Sequence, residues 1–412
     1  MAAQYTPPPR SRIDELMASR KQAIERQRQL EHVSTRILTT KSAEIMDSHQ
    51  DDVMEHVAQL LQTAPNLQLQ KVFLLRGLKH QGAKALRVAL QSKNHSLVVL
   101  KIMQHNSDEA EIALQTVFDQ GISLSRLHEL VLHDCAMYEV ETMTALVQAL
   151  RSPTGTATLQ RLSLVDIPSL GSHDPSLLGQ LLQAPHLQHV KFIRCNIQPN
   201  GAAAMANALM DDNNNNIRSR LEYLNLQGNP IGNEGTTSLA KALRHNTTLR
   251  HLLLCQHCDI GNAGAFALAD MLPHNTTLHE LDVSGNPDIL IRGKEALVEG
   301  LKYNISLVST GLRVTRRHPL RPTVVEQMGR LLSINATRQL WNTHHNTQKA
   351  TGPSLLLPPA RRGSSTTTTS DDKDQSHVTS SLLPHYLAKV GAKLPVLHLS
   401  LQENADLFLP YL

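Results

Sequence analysis

Aromatic side chains are scarce in this chain of 412 residues, with one Trp, six Tyr and five Phe making up 3% of it. Hydrophobic residues still reach 41%, so any core must be aliphatic. Cysteine is scarcer: Cys135, Cys195, Cys255 and Cys258 are the four. That number excludes a disulfide-dense secreted scaffold and points to a reducing compartment. Charge of one sign is also missing, because 40 Lys and Arg against 36 Asp and Glu leave a formal net charge of +4. A nucleic-acid groove or an anionic membrane surface calls for a stronger basic bias, and neither is expected as a partner. No run approaches the roughly 18 apolar residues that cross a bilayer. Met1 to Arg12 carries three prolines and no apolar stretch, unlike a secretory leader. Cytoplasm is the expected location, and the nucleus fits the same composition.

Catalytic signatures are absent too. The 22 histidines are scattered, with no H-E-x-x-H cluster, and there is no Walker loop, nucleophile elbow or kinase motif. The expectation is a non-catalytic protein with no cofactor and no metal. Cys255-Gln-His-Cys258 has a C-x-x-C spacing, but a structural zinc site calls for a second pair of ligands and no other Cys pair exists. A thioredoxin-like motif would open a helix after a strand in a different fold.

What the chain has in abundance is leucine at fixed intervals. Leu221, Leu224, Leu226 and Asn229 spell L-x-x-L-x-L-x-x-N, and Leu278, Leu281, Val283 and Asn286 repeat it. Further copies start at Leu69, Leu97, Leu127, Leu159, Leu187 and Leu249, with a weaker one at Leu307. These nine starts are 28 to 34 residues apart. Alternation in this half of the unit is the strand period, with side chains facing opposite ways in turn. A second pattern keeps the same phase: Gly82, Ala85, Leu86, Ala89 and Leu90 match Gly201, Ala204, Met205, Ala208 and Leu209, and again from Gly235, Gly264 and Gly293. Apolar residues three and four apart are the helical period. The small Ala and Gly residues are expected to bring each helix close to the strand layer.

A parallel strand needs a crossover before the next one, and the helix supplies it. Strands sit about 4.8 Å apart, whereas packed helices need roughly 8–10 Å. Stacked units must therefore curve, strands inside and helices outside. The predicted fold class is an α/β solenoid, a horseshoe of about nine repeats with a parallel sheet on its concave face and helices on its convex face. The pattern resembles the ribonuclease-inhibitor-like subfamily of leucine-rich repeats, most closely in residues 221–235 and 275–287. That resemblance covers roughly Leu69 to Leu332 and implies a binding scaffold.

Two polar features keep step with the repeat. Cys135 and Cys195 fall at the ninth position, where other units place Asn229 and Asn286. A buried Asn or Cys there is expected to bond loop backbone that would otherwise be unsatisfied. Five N-x-S/T sequons begin at Asn94, Asn246, Asn275, Asn304 and Asn335, and the first four precede a repeat leucine by three residues. Such phasing argues against glycan acceptors and for helix-closing residues in a left-handed conformation.

Outside the repeats, residues 1–65 read as a helical N-terminal segment, either a cap on the first repeat or a partner-binding or self-associating helix, with a second helix over about Ser42 to Gln62. The solenoid occupies 66–341. A Ser/Thr/Pro-rich linker follows over 342–381, where Arg361-Arg362-Gly363-Ser364 is a short and unspecific basophilic-kinase match. Residues 382–412 read as one or two short helices.

With this register, positions three, five, seven and eight of each unit face the concave wall. Charges of both signs alternate there with apolar anchors, as on a protein-binding surface. Aromatic residues and Arg dominate such interfaces, which favours Phe73, Arg76, Met103, Arg194 and Tyr223, with Lys71, Lys101, Arg161 and Lys191 as further candidates on the same face. The leading expectation is a scaffold that binds a partner protein on this face. The second is a regulator of a Ran-like small GTPase, since the Ran GTPase-activating proteins are similar to this repeat subfamily. Arg76, just after the first strand of the pattern, would serve such contacts. The acidic C-terminal region typical of those proteins is missing here.

Overall fold

Strand-period leucines and helix-period alanines alternate along the chain, and the backbone follows them. The computed structural model describes residues 10–46, 50–64, 67–75, 77–92, 96–104, 108–119, 126–135, 137–151, 158–210, 219–312 and 320–351. Ten strands form one sheet: β1 (Ser42–Ile45), β2 (Lys71–Leu74), β3 (Val99–Met103), β4 (Glu129–His133), β5 (Arg161–Val165), β6 (His189–Ile193), β7 (Tyr223–Asn225), β8 (His251–Leu253), β9 (Glu280–Asp282) and β10 (Ser309–Thr310). They pair in parallel and in strict chain order from β1 to β10. Eleven helices alternate with them. These are α1 (Arg10–Thr39), α2 (Asp51–Thr63), α3 (His80–Gln91), α4 (Asp108–Phe118), α5 (Val140–Arg151), α6 (Pro175–Leu182), α7 (Pro199–Leu209), α8 (Gly232–Leu243), α9 (Asn262–Met271), α10 (Ile291–Leu301) and α11 (Pro322–Thr351). The fold is an α/β leucine-rich-repeat solenoid with an open sheet.

One aliphatic core runs the length of the array. The second and fourth residues of successive strands, such as Leu130 and Leu132, Leu162 and Leu164, are fully buried. Leu86, Leu146 and Leu239 meet them from the helix layer in the same cluster. Each unit buries its leucines against its neighbours, which makes stability a property of the stack.

The N-terminal region departs from expectation. Ser42–Ile45 is a strand and α2 starts only at Asp51. Ala, Glu, Ile and Met favour helix locally, but Ala43 and Ile45 alternate as buried residues with exposed Ser42 and Glu44. Pairing with β2 in register overrides the helical propensity, so the sheet has one strand more than the nine leucine units. Helix α1 docks through Leu30, Val33 and Ile37 and through the Arg26–Asp52 ion pair. At the other end α11 continues to Thr351, ten residues beyond the expected boundary at 341. Residues 352–412, with most of the expected linker, Ser364 and the segment 382–412, lie outside the described residues.

The helical glycines face a different neighbour from the one expected. A Cβ on Gly235 would meet the Ala202 Cβ of α7 at 2.8 Å, and one on Gly293 would meet the Ala265 Cβ of α9 at 3.0 Å. They bring each helix close to the preceding helix, not to the strand layer.

Side-chain ladders bind each unit to the next. In the turns after the strands, Asn229 Nδ2 donates to the Phe192 carbonyl of the unit before it at 2.7 Å, and Asn286 does the same to Leu254 at 2.7 Å. Cys135 and Cys195 hold equivalent places, with Cys195 Sγ donating to the Leu164 carbonyl at 3.3 Å. At the helix-to-strand corners the sequon residues Asn246, Asn275 and Asn304 are buried. Their Nδ2 groups donate to the carbonyls of Leu209, Leu243 and Leu272 one unit back, at 2.8, 2.6 and 2.8 Å. Their Oδ1 atoms accept the N–H of Leu249, Leu278 and Leu307. None of the three is left-handed, so phasing had a structural cause other than the expected cap. Asn94 lies outside the described residues.

A third ladder runs at the helix N-termini, where backbone N–H groups lack intrahelical partners. Asn233 Oδ1 accepts from Gly261 and Gly264 of the following unit at 2.9 and 2.8 Å, and Asn262 Oδ1 accepts from Leu290 and Gly293 at 2.9 and 3.1 Å. Asp51 serves Gly82, and Glu111 serves Glu139.

Candidate interaction surface

The concave wall follows from strand register. Arg161, His189, Tyr223, His251 and Glu280 are consecutive partners across β5 to β9 and so form one row across the strands. Same-face neighbours on adjacent strands are close enough to touch, and the last four of these do. The His189 and Tyr223 rings stack at 5.8 Å between centroids, and the Tyr223 and His251 rings meet at 5.9 Å. His251 Nδ1 lies 3.0 Å from Glu280 Oε2. Lys191 Nζ stands 5.7 Å from the Tyr223 ring centroid, within cation–π range. Burial in this row pushes the Tyr223 hydroxyl pKa up. Burial also pulls the His189 imidazole down, and the nearby Arg161 charge adds to that.

A second cluster lies at the ends of β4, β5 and β6. Arg194 Nη2 donates to Asp166 Oδ2 at 2.7 Å, and His133 Nε2 sits 3.2 Å from the same carboxylate. The Arg194 bond holds the Asp166 carboxyl below its ordinary range, and Asp166 raises Arg194 in return. Asp166 and Arg194 share a left-handed backbone, with φ of 55° and 53°. Asp134, Gly228, Gln256 and Gly285 occupy the same eighth position in their units and share it too.

The sequence-selected residues are distributed along the wall without converging on a single pocket. Lys71 and Arg161 are exposed, while Phe73, Lys101, Met103, Lys191 and Tyr223 are half-buried on the strand face. Phe73 is the register partner of Lys101, and Met103 of His133. Of the selected residues, Arg161 and Tyr223 belong to the row itself, and Lys191 reaches it through the Tyr223 ring. Arg194 is on the rim with its charge matched by Asp166. Arg76 lies outside the described residues. Gln104, at an eighth position expected to face the wall, is instead buried, with Nε2 bonded to the Leu78 carbonyl at 3.3 Å. His189, His251 and Glu280 were not among the selected residues. Sequence register turns them to the wall as third-position residues, but only their pairing across adjacent strands brings them together around Tyr223.

The cysteines are structural. Burial pushes Cys135 and Cys195 up to about 12, and Cys255 and Cys258 up to about 11. Cys258 Sγ donates to the Leu226 carbonyl at 3.3 Å and its N–H bonds Asn286 Oδ1 at 2.9 Å. It thereby fills the ladder place of a ninth-position residue, because this turn holds one extra left-handed residue, His257. Among the described residues no group of three or more His, Cys, Asp or Glu side chains is placed to hold a metal ion. None of the described helices is long and apolar enough to cross a membrane.

Three segments, 220–240, 245–269 and 274–289, match the family model described as Leucine Rich repeat. Comparison with the curated proteins gives no match. Among solved structures, actin-binding site 2 of leiomodin-1 aligns at a TM-score of 0.36 and 19% identity, over 43% of this chain and 95% of that one. A chain of the yeast Rad7 and Elc1 complex structure aligns at a TM-score of 0.37 and 12% identity, over 77% of this chain and 88% of that one.

Proposed function

We propose that this chain is a non-catalytic interaction scaffold that binds a partner protein on the concave face of its sheet, in the cytoplasm or nucleus. The observation that carries this reading is the continuous row from His189 to Glu280. It presents stacked rings and fixed charges on a sheet face where these side chains stay half-buried. Rigid aromatic groups lose little rotamer freedom on binding and are favoured at interface centres. Phe73 and Met103 extend the apolar component toward the N-terminal strands, and mixed charges around them fit a protein better than a polyanion.

Affinity capture with the full chain, read by mass spectrometry, tests it. Phe73→Ala with Tyr223→Ala is expected to lose the partners that the parent chain recovers. Unchanged recovery would move binding off the concave face. Stimulated GTP hydrolysis by a captured small GTPase would favour the regulator reading instead.

A further inference from the structure

Along the ring row the wall changes sign. At β5 and β6, Arg161 and Lys191 have no carboxylate within ion-pair distance among the described residues, and His189 lies between them. Arg194 adds nothing to this field, since Asp166 neutralises it. Two carboxylates temper the cationic end: Glu129, the register neighbour of Arg161 on β4, and Glu222, whose charge acts on His189. At β9 the order is reversed. Glu280 and Asp282 occupy the third and fifth positions on one face of the strand, and His251 is the facing basic group. Tyr223 occupies the middle of the row, with rings on both sides.

Resting on the concave-face reading, we infer that the recognised element is a short extended protein segment with acidic residues at one end and basic residues at the other, lying across the strands from β5–β6 to β9. Four strand spacings of about 4.8 Å make a path of roughly 19 Å, which an extended chain covers in about six residues. The acidic end sits between Arg161 and Lys191, and the basic end against Glu280 and Asp282. The middle passes over the edges of the stacked rings, whose faces are already occupied by one another. A uniformly acidic segment meets repulsion at β9, and a uniformly basic one meets it at β5–β6. The arrangement therefore selects by repulsion as well as attraction.

Three fluorescein-labelled decapeptides of equal length test this by anisotropy with the full chain at low salt. One is acidic at one end and basic at the other, one is all-acidic and one is all-basic. The mixed peptide is expected to bind tightest. Arg161→Glu with Lys191→Glu should weaken it at least tenfold, with Lys191→Gln standing in if the double variant fails to fold. Glu280→Lys with Asp282→Lys should weaken the mixed peptide and tighten the all-acidic one. Equal binding of all three peptides, or indifference of the mixed peptide to both charge reversals, overturns the inference. So does tighter binding of a single-stranded oligonucleotide than of the mixed peptide. If captured partners are lost with Phe73→Ala and Tyr223→Ala while no peptide binds, the scaffold reading stands and the charge-polar segment falls.

Discussion

The Asn229 carboxamide accepts the Cys195 backbone N–H at 2.9 Å, across the boundary between two repeats. The same oxygen takes the Ile197 N–H at 3.1 Å, and the Nδ2 group donates to Phe192 and Leu226 carbonyls. One buried side chain thus completes the backbone of the turn before its own.

Removing it leaves several buried backbone groups without partners, each costing about 1–3 kcal/mol when unsatisfied. Asn229→Ala should lower unfolding free energy by roughly 2–4 kcal/mol, read from urea denaturation. Cys195→Ala, which deletes only a weak thiol donor, should cost less than half as much. Equal losses would mean that packing, not hydrogen bonding, sets the value of this place.

Two helical glycines should respond to alanine with opposite signs. Gly329 in α11 has nothing within 4 Å of an added Cβ, and Gly→Ala in an open helix stabilises by about 0.5–1 kcal/mol. At Gly293 the added Cβ would lie 2.7 Å from Asn262 Oδ1, the atom that caps α10 through Leu290 and Gly293. Gly293→Ala should destabilise by about 1–3 kcal/mol, as overpacking does. Thermal melts of the two variants check the signs.

The Asp166–Arg194 contact predicts an acid dependence. The folded-state carboxyl lies below its ordinary value, chiefly through the Arg194 hydrogen bond. Its stabilisation is therefore complete above the unfolded value of about 3.9 and is lost as pH falls through the folded value. The pair is partly solvated, so the effect is modest. The stability difference between the parent and Asp166→Asn should hold at neutral pH and shrink as pH falls below about 5. A difference that stays constant over that range would show that the ion pair contributes nothing.

Local periodicity made most of the solenoid readable. Leu224 and Leu226 declare a strand face and Leu239 with Ala242 a helix face, because burial on one side forces period two or 3.6. β1 escaped because its alternation covers four residues, fewer than helix-favouring composition can be weighed against. The ladders were legible only in part. The phase of Asn246 and Asn275 marked them as structural, but their partners Leu209 and Leu243 lie more than a full unit upstream. Asn233 carried no signal, since nothing local says that its oxygen caps the next helix. On the wall, Tyr223 stood out by type, whereas His189 and His251 acquire meaning only from register with it.

Asn335 adds a last rung to the corner ladder, donating to the Asn304 and Leu307 carbonyls at 3.0 Å each. It does so from within α11, a helix with no strand pattern of its own. The units that Asn246, Asn275, Asn304 and Asn335 follow are thus left unfinished by their own residues and closed by what comes next. The array cannot be shortened by cutting between repeats without exposing raw carbonyls. It can be lengthened only by inserting a whole unit ahead of a residue that performs the same closure.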